Sequence, residues 1–174
     1  MHSHQFKLFK KHEVKVFILF FLVVLASIAY AVYHNYFYET PRIRVTLQRC
    51  VDGDTAVFNE VGTTRFLMVD TPETSTPEGK QVADFTCNLL KQATIIEISY
   101  DDNSSQTDRY NRTLAWVFVD GSLLQAKLAS QGYLSRYFDN RGRATFNYRD
   151  VNLFPSYVNQ VEQARKKNNS FWIE

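Results

Sequence analysis

The chain has 174 residues, of which 45% are hydrophobic and 15% aromatic, enough for one domain with a core plus short appendages. Its formal charge is +2, and residues 1–31 carry +3 of it, from four lysines and one glutamate. Residues 32–174 therefore net to −1, from 16 basic and 17 acidic side chains. This balance excludes a domain that is drawn to nucleic acid by a global positive field.

All four histidines lie in the first 34 residues, so the rest of the chain has none. This excludes histidine general bases, zinc sites built on imidazole and Ser-His-Asp triads from the domain. Any chemistry must come from carboxylates, arginines, tyrosines, hydroxyls or a hard metal ion.

The N-terminal region is predicted to be an export segment. A basic cytoplasmic N-terminus covers residues 1–15, a transmembrane anchor or signal core covers residues 16–33, and a stalk covers residues 34–41. The lysines that precede the apolar run place the N-terminus inside the cell and the domain outside. We therefore expect the domain at the extracellular face of the cell membrane.

Two features of this segment point to different fates. Ala29, Tyr30 and Ala31 form an A-x-A site, which favours cleavage after Ala31 and secretion. The length of the apolar run and the aromatic residues that follow it favour a membrane anchor. Anchor and cleaved signal both remain open at this point.

Residues 42–174 are predicted to form one domain of α+β class. Alternation and turn signals predict strands over residues 42–51, 55–60, 63–69, 94–101 and 112–121. Helices are predicted over residues 77–92, 122–132 and 153–167. Thr76 is the predicted cap of the first, Ser122 caps the second, which stops at Gly132, and the third has Pro155 in its first turn. Together they favour a five-stranded OB-fold barrel with three α-helices, preceded by the N-terminal apolar helix.

The two cysteines, Cys50 and Cys87, allow one disulfide if the domain is exported. Two separate buried thiols are an equal alternative, because the sequence does not set their distance.

Charged residues cluster at three predicted strand edges. Asp52 and Asp54 surround a glycine between the first two strands, Asp70 and Glu73 close the third, and Arg112 opens the fifth. A barrel brings such edges to one mouth. Carboxylates without nitrogen or sulfur ligands are a set for Ca²⁺ or Mg²⁺ rather than zinc.

Two arginines, Arg65 and Arg112, complete this pattern. An arginine side chain can make forked bonds to phosphate oxygens and stays charged at any working pH. Arginines beside carboxylates and a hard metal indicate phosphodiester chemistry. In a strict strand, however, Arg65 and Asp70 face opposite sides, so they converge only if the strand bends.

Each stretch also has a simpler interpretation. Asp52-Gly53-Asp54 is often only a turn, and Asp70 to Glu73 often only ends a strand. Arg112 can simply pair with Asp108 on the surface. The combination is what favours a functional site.

The motifs "VDGDTA", "RFLMVDTPE" and "DRYNRTLAW", in this order and spacing, resemble the staphylococcal nuclease (thermonuclease) family. The resemblance runs from about Arg42 to Trp172, through "LASQGY" and "QARKKNNSFW". It implies an OB-fold barrel with three helices and a Ca²⁺-dependent nuclease that cuts DNA and RNA and leaves 3′-phosphates.

The resemblance also implies roles for residues on the metal side of the site. Asp54 and Asp70 match the family's calcium carboxylates, and Thr71 matches the residue that offers a backbone carbonyl to the metal. Asp52 matches a carboxylate just outside the ligands.

On the substrate side, Glu73 matches the carboxylate assigned as general base. Arg65 and Arg112 match the phosphate-binding arginines, and Arg109 and Tyr110 match positions near the terminal phosphate of the nucleotide.

The chain departs from the family pattern in three places. The segment between Glu73 and the first domain helix is shorter, and about seven residues are inserted around residues 141–147. Asn111 and Thr113 replace glycines beside Arg112, and Thr tolerates positive φ poorly. Since the domain is not basic, local side chains must grip nucleic acid. The candidates for this grip are Tyr133, Arg136, Tyr137, Phe138, Arg141, Arg143 and Arg149.

The sequence thus predicts an exported, monomeric, Ca²⁺-dependent nuclease acting on DNA and RNA. The alternative is a catalytically weak or inactive nuclease-fold module that binds nucleic acid or protein. A phosphate clamp reads neither sugar nor base, so a preference between DNA and RNA is not predicted.

Overall fold

The structure is a computed structural model that describes residues 2–36, 40–134, 136–137 and 153–167. The chain divides into two compact units, Met1–Tyr38 and Glu39–Glu174. Residues 138–152 and 168–174 lie outside the described residues. The predictions for the insertion, for Phe138, Arg141, Arg143 and Arg149, and for the C-terminal motif beyond Lys167 therefore stay predictions.

The first unit is one helix, α1 (His2–Tyr36). Its stretch Glu13–His34, 22 residues, is long and apolar enough to cross a membrane. Its large side chains are exposed, Phe17 to 76% and Tyr30 to 68%. Signal sequences have the same length and composition, so this helix is a candidate for either role.

The second unit is built on a mixed sheet. Its strands are β1 (Ile43–Val45), β2 (Leu47–Cys50), β3 (Thr55–Phe58), β4 (Gly62–Phe66), β5 (Val69–Asp70), β6 (Ile96–Ser99), β7 (Thr113–Val119), β8 (Ser122–Leu123) and β9 (Arg136–Tyr137). The main sheet has the order β1-β6-β7-β4-β3-β2, with β8 beside β7. The β4–β7 pair is parallel and the others are antiparallel.

The first predicted strand is in fact two strands that meet at Thr46. The Thr46 amide and hydroxyl both donate to the Glu60 carboxylate, each at 2.8 Å, which interrupts the ladder. Because β1 pairs with β6 and β2 pairs with β3, this one bent segment joins the two ends of the strand order. The sheet therefore closes on itself, as the predicted OB-like barrel requires.

Three helices complete the domain: α2 (Pro77–Gln92), α3 (Leu124–Gln131) and α4 (Pro155–Lys167). α2 begins as predicted, since the Thr76 hydroxyl accepts a hydrogen bond from the Gly79 amide at 3.0 Å. α4 has Pro155 at its first position, and α3 ends at Gly132 in the left-handed conformation, φ 73°.

The prediction that Ser122 caps α3 is wrong. The turn at Asp120 (φ 49°) and Gly121 (φ 76°) folds the chain back so that Ser122 pairs with Val119 in β8. The N-cap of α3 therefore lies one residue later than predicted, at the apolar Leu123. Ser122, which the sequence pattern assigned to the start of the helix, is instead part of the tight β7–β8 hairpin.

The core is formed by apolar residues of the barrel strands and of all three domain helices. Every residue of β7 is buried, and the Tyr157 ring makes edge contacts with three other aromatic rings at centroid distances of 5.2–5.4 Å. These partners are Trp116, Phe118 and Phe154. Aromatic rings of this size bury large apolar areas and fix β7, the strand that follows the predicted arginine loop.

Candidate active site

Arg65 lies near the end of β4, where the strand turns back on itself. Met68 adopts a left-handed conformation (φ 67°), which is rare for a bulky residue. The Arg65 guanidinium spans this turn, donating from Nη1 to the carbonyls of Phe66 (3.1 Å) and Val69 (2.6 Å). Its Nη2 reaches Asp70 Oδ1 at 2.9 Å. The bend that the sequence pattern required for Arg65 and Asp70 to meet is therefore present.

Asp54 is the most enclosed carboxylate of the cluster. Its side chain is 8% exposed, and its Oδ1 accepts from Thr55 Oγ1 (3.0 Å) and lies 3.2 Å from Arg65 Nε. Its Oδ2 accepts from the amide (2.8 Å) and the hydroxyl (3.0 Å) of Thr71. A buried carboxylate with a charged partner and three hydrogen-bond donors is held in one orientation.

Asp52 begins the same loop. Its Oδ1 accepts from the Asp54 amide at 3.0 Å, which makes a local turn. Burial, and next the neighbouring Asp54 charge, raise the pKa of Asp52 to about 6. Asp52 and Asp54 thus place two carboxyl groups on one short loop, with the first hydrogen-bonded to the backbone of the second.

The donors around this loop suit a hard cation. Asp54, Asp70 and the Thr71 carbonyl would supply only oxygen, the ligand type that Ca²⁺ and Mg²⁺ prefer. Within the described part of the chain, no group of three or more His, Cys, Asp or Glu side chains is arranged to hold a metal. Two carboxylates and one carbonyl would leave several positions around such an ion to water, and both carboxylates already contact Arg65.

Glu73 lies on the segment that leads into α2. Its side chain is exposed, while its carbonyl accepts from the Thr76 amide and hydroxyl, both at 3.0 Å. Gly79 packs against the same backbone so tightly that a Cβ there would lie 1.9 Å from the Glu73 carbonyl oxygen. The backbone of Glu73 is thus fixed while its carboxylate stays open to water.

Arg112 is held by a carboxylate of its own loop. Its Nε and Nη2 both lie 2.7 Å from Asp108 Oδ2, and Asp108 Oδ1 accepts from the amides of Tyr110 and Arg112 at 2.9 Å. Burial acts to raise the pKa of Asp108, but the hydrogen bonds and charge of Arg112 outweigh it, so that the pKa is lowered. The carboxylate thus stays charged beside the arginine.

The backbone of this loop uses Asn111 rather than Thr113 for its left-handed residue. Asn111 has φ 61°, which asparagine tolerates well, whereas Thr113 starts β7 and pairs with Thr64. The substitution of Thr113 for a family glycine therefore does not strain the loop.

Arg109 and Tyr110 form an exposed surface beside Arg112. The Tyr110 side chain is 63% exposed, and the Arg109 and Arg112 guanidiniums lie 4.6 Å and 5.4 Å from its ring centroid. A cation stacked on an exposed aromatic ring suits contact with a nucleotide.

Strand pairing brings these segments to one end of the barrel. Thr55, next to Asp54, pairs with Arg65 across β3 and β4, and the Phe66 amide donates to the Asp54 carbonyl at 2.8 Å. Thr64 pairs with Thr113, the residue after Arg112. β5 also pairs with β9, which sets the Arg136 backbone opposite Asp70. The Tyr133 ring makes an edge contact with Phe85 of α2 at a centroid distance of 5.0 Å, and its role as a stacking residue stays a prediction.

Comparison with known proteins identifies the family. The family model for staphylococcal nuclease homologues matches residues 63–174, more than half of the chain. The chain belongs to the staphylococcal nuclease family. The resemblance seen in the sequence motifs is thereby confirmed, and with it the nuclease class.

Individual relatives agree with this assignment. A thermonuclease of Staphylococcus hyicus is 33% identical over 134 residues, covering 71% of this chain and 72% of that protein. Endonuclease YncB of Bacillus subtilis is 34% identical over 99 residues, covering 52% of this chain and 46% of that protein. The SPbeta prophage-derived endonuclease YokF of the same organism is 29% identical over 140 residues, covering 75% of this chain but 44% of that protein.

Several residues that support this nuclease-family site were not singled out from the sequence. Thr55, Gly79 and Thr86 act through hydrogen bonds or close packing on the backbone of the site. Thr71 was expected to contribute a carbonyl, yet its amide and hydroxyl also hold Asp54. Among these residues only Gly79 could have been found from the sequence, because a glycine inside a predicted helix often has a packing reason.

Proposed function

We propose that this protein is an exported, Ca²⁺-dependent nuclease that hydrolyses phosphodiester bonds of DNA and RNA and leaves 3′-phosphates. The observation that supports it most is the set of contacts around Arg65, which bonds to both Asp54 and Asp70 at the barrel end. Glu73 follows on the next segment, and Arg112 precedes the strand paired with β4.

In this proposal the metal would be held by Asp54, Asp70 and the Thr71 carbonyl. When bound, Ca²⁺ supplies positive charge against the phosphate and the developing charge of the reaction. Asp52 contributes negative charge beside these ligands and orients the Asp54 backbone through its hydrogen bond.

The protein's own residues position and neutralise the substrate. Arg65 and Arg112 donate to the non-bridging phosphate oxygens, and Arg109 with Tyr110 contacts the nucleotide next to them. Glu73 accepts a proton from the attacking water, whose oxygen forms a bond to phosphorus. The bond from phosphorus to the 5′-oxygen breaks, and that oxygen leaves with a proton from solvent.

The proposed location outside the cell rests on two features. α1 contains a stretch of membrane-spanning length, Glu13–His34; three lysines precede it and a fourth, Lys15, lies at its start, so the positive-inside rule leaves the domain outside. The Cys50–Cys87 disulfide of the domain suits an oxidising compartment. Mass spectrometry of the mature protein distinguishes an intact anchor from cleavage after Ala31.

The direct test is a cleavage assay on the full chain in mild detergent. Single-stranded DNA, duplex DNA and RNA are each incubated with Ca²⁺, Mg²⁺ or a chelator, with Glu73→Gln as the matched inactive control. Calcium-dependent degradation of all three, with the phosphate on the 3′ side, is expected. Absence of cleavage by a folded protein would refute the proposal.

One observation favours a second candidate, a module that binds nucleic acid without efficient cleavage. Both phosphate-binding arginines are already paired with carboxylates, Arg65 with Asp54 and Asp70, and Arg112 with Asp108. A phosphate must compete with these partners. Binding that survives chelation, without product, would support this candidate.

A further inference from the structure

Helix α2 contacts the carboxylate loop through Thr86. The Thr86 side chain is fully buried, and its hydroxyl donates to the Gly53 carbonyl at 2.8 Å. Gly53 lies between Asp52 and Asp54, so this bond ties the centre of the loop to a helix 33 residues further along the chain.

The same loop is pressed between α2 and the segment after β5. A Cβ on Gly53 would lie 2.6 Å from Thr71 Oγ1 and 2.7 Å from Val82 Cγ1, closer than real Cβ contacts. The Thr71 hydroxyl in turn donates to Asp54. Gly53 therefore packs closely against α2 on one side and, on the other, against the residue that holds the Asp54 carboxylate.

The disulfide adds a second attachment next to the first. Cys87 follows Thr86 in α2, and its partner Cys50 ends β2, two residues before Asp52. The amides of Val51 and Asp52 both donate to the Thr55 carbonyl at 3.2 Å, which closes the loop between the two strands. Residues 50 and 53 are thus fixed to adjacent residues of one helix.

We propose that the Cys50–Cys87 disulfide is a positioning element for the Asp54 carboxylate, and that breaking it lowers the affinity for Ca²⁺ and slows cleavage while the domain stays folded. This inference rests on the proposed function. Groups that orient a metal ligand typically change metal affinity by about tenfold to a hundredfold, and we expect about tenfold here. The defect lies in binding, so raising the Ca²⁺ concentration restores most of kcat.

Reduction in the folded protein gives one way to break the bond. Both cysteines are half-buried rather than fully enclosed, and the reductant is a small dithiol. The dithiol attacks one sulfur, the mixed disulfide resolves, and the reductant leaves as its cyclic disulfide. Two electrons and two protons pass to Cys50 and Cys87, which become thiols.

The experiment compares the oxidised full chain in detergent with the double variant Cys50→Ser/Cys87→Ser and with the dithiol-reduced protein. Calcium affinity is measured by isothermal titration calorimetry, and kcat and KM are measured at several Ca²⁺ concentrations. Val161→Ala, in the buried face of α4, is the control for loss of stability away from the site. The temperature is adjusted so that Val161→Ala and the double variant have the same midpoint of urea unfolding, which makes the two proteins equally stable.

Thr86 provides an independent arm. Thr86→Val keeps the shape but removes the hydroxyl, and Thr86→Ser keeps the hydroxyl. If the inference is correct, the valine variant also loses Ca²⁺ affinity and the serine variant retains most of it. This arm, with the reduced protein, decides the question even if the double variant does not fold.

Lower Ca²⁺ affinity in the double variant or the reduced protein, with the Val161→Ala control unchanged, supports the inference. Unchanged affinity in the reduced protein and in Thr86→Val, beside an active wild type, overturns it and leaves the disulfide a stabilising cross-link. A folded wild type that neither binds Ca²⁺ nor cleaves overturns the proposed function and this inference together.

Discussion

Two regions of the site are built in opposite ways. The carboxylate region, residues 52–54 with 65–71, is largely buried and held by contacts between distant segments, such as Thr71 with Asp54. The arginine loop, residues 108–112, is largely exposed and held within five residues by the Asp108 side chain. The barrel core therefore preorganises one half of the site, and a local turn organises the other. Changes in the first region should affect fold and function, and changes in the second should affect function alone.

The strongest test of this comparison replaces each arginine by alanine. Under the proposed function we expect Arg65→Ala and Arg112→Ala each to reduce the cleavage rate by about 10²–10³-fold, because each would remove a positive charge beside the phosphate. Arg65→Ala should also lower the free energy of unfolding by about 3–5 kcal/mol, since it leaves Asp54 buried without its charged partner. Arg112→Ala, which breaks a more exposed pair, should change it by about 1 kcal/mol or less.

Urea unfolding and steady-state cleavage on the same preparations measure both effects. Arg65→Lys is the control for charge, because one amine cannot make the forked contacts of the guanidinium. Equal stability losses for the two alanine variants would refute the distinction between the regions.

The next effect concerns Gly79, a buried residue of α2 that packs against the Glu73 backbone. Gly79→Ala places a Cβ 1.9 Å from the Glu73 carbonyl, so the Glu73 segment must move. A displacement of about 1 Å in a catalytic group can cost up to about 10²-fold in rate, and we expect a loss between about tenfold and that value. Cleavage assays at saturating Ca²⁺ check this.

Gly62→Asn is the matched glycine control. Gly62 has φ 73° and open space around its Cβ position, and asparagine tolerates this conformation. The Gly62→Asn variant should cleave at the rate of the wild type. A Gly79→Ala protein with full activity would show that the backbone of Glu73 need not be fixed.

A smaller effect is expected in the arginine loop. Asp108→Ala removes the acceptor of the Tyr110 and Arg112 amides and releases the Arg112 guanidinium. We expect kcat/KM to fall by roughly tenfold, less than on loss of the arginine, because the charge remains but is less well placed. Stability should change little. A loss as large as that of Arg112→Ala would assign Asp108 a direct part in the reaction.

The smallest effect on activity is expected at Asp101, a buried carboxylate outside the site. Its Oδ2 accepts from the Trp116 indole (2.8 Å) and the Phe154 amide (2.7 Å), and its Oδ1 accepts from the Asn103 amide (3.0 Å). Asp101→Asn leaves one of these donors without an acceptor and should lower the free energy of unfolding by about 1–3 kcal/mol. Cleavage should be unchanged, which would show that this buried carboxylate stabilises the fold without taking part in the reaction.

This variant also has a pH signature. Burial, only partly opposed by these hydrogen bonds, raises the pKa of Asp101 above its ordinary value of 3.8. The folded protein therefore binds a proton at Asp101 more tightly than the unfolded chain does. The stability that this protonation adds is complete below pH 3.8 and is lost as the pH rises through the folded pKa. Because asparagine does not titrate, the stability advantage of wild type over Asp101→Asn should shrink on raising the pH from 3.8. Urea unfolding at a series of pH values tests this, and a widening gap would contradict it.

Local signals predicted what depends on neighbouring residues. The Thr76 cap, the Gly132 stop and Pro155 at the start of α4 were all correct, because capping and φ restriction act within one turn. The strand break at Thr46 and the pairing of Ser122 were missed. Both depend on partners, Glu60 and Val119, that the fold selects.

By itself, the sequence determined the family, the OB-like barrel, the residue types of the site and the absence of histidine from residues 35–174. Only the tertiary structure decided that a left-handed Met68 turns Asp70 onto Arg65, and that Cys50 and Cys87 are bonded beside the carboxylate loop. The physical reason is separation along the chain. Motif spacing records chemistry and local geometry, whereas the contacts of Asp54 and Gly53 join residues 17 and 33 positions apart, and only strand pairing and the packing of α2 bring them together.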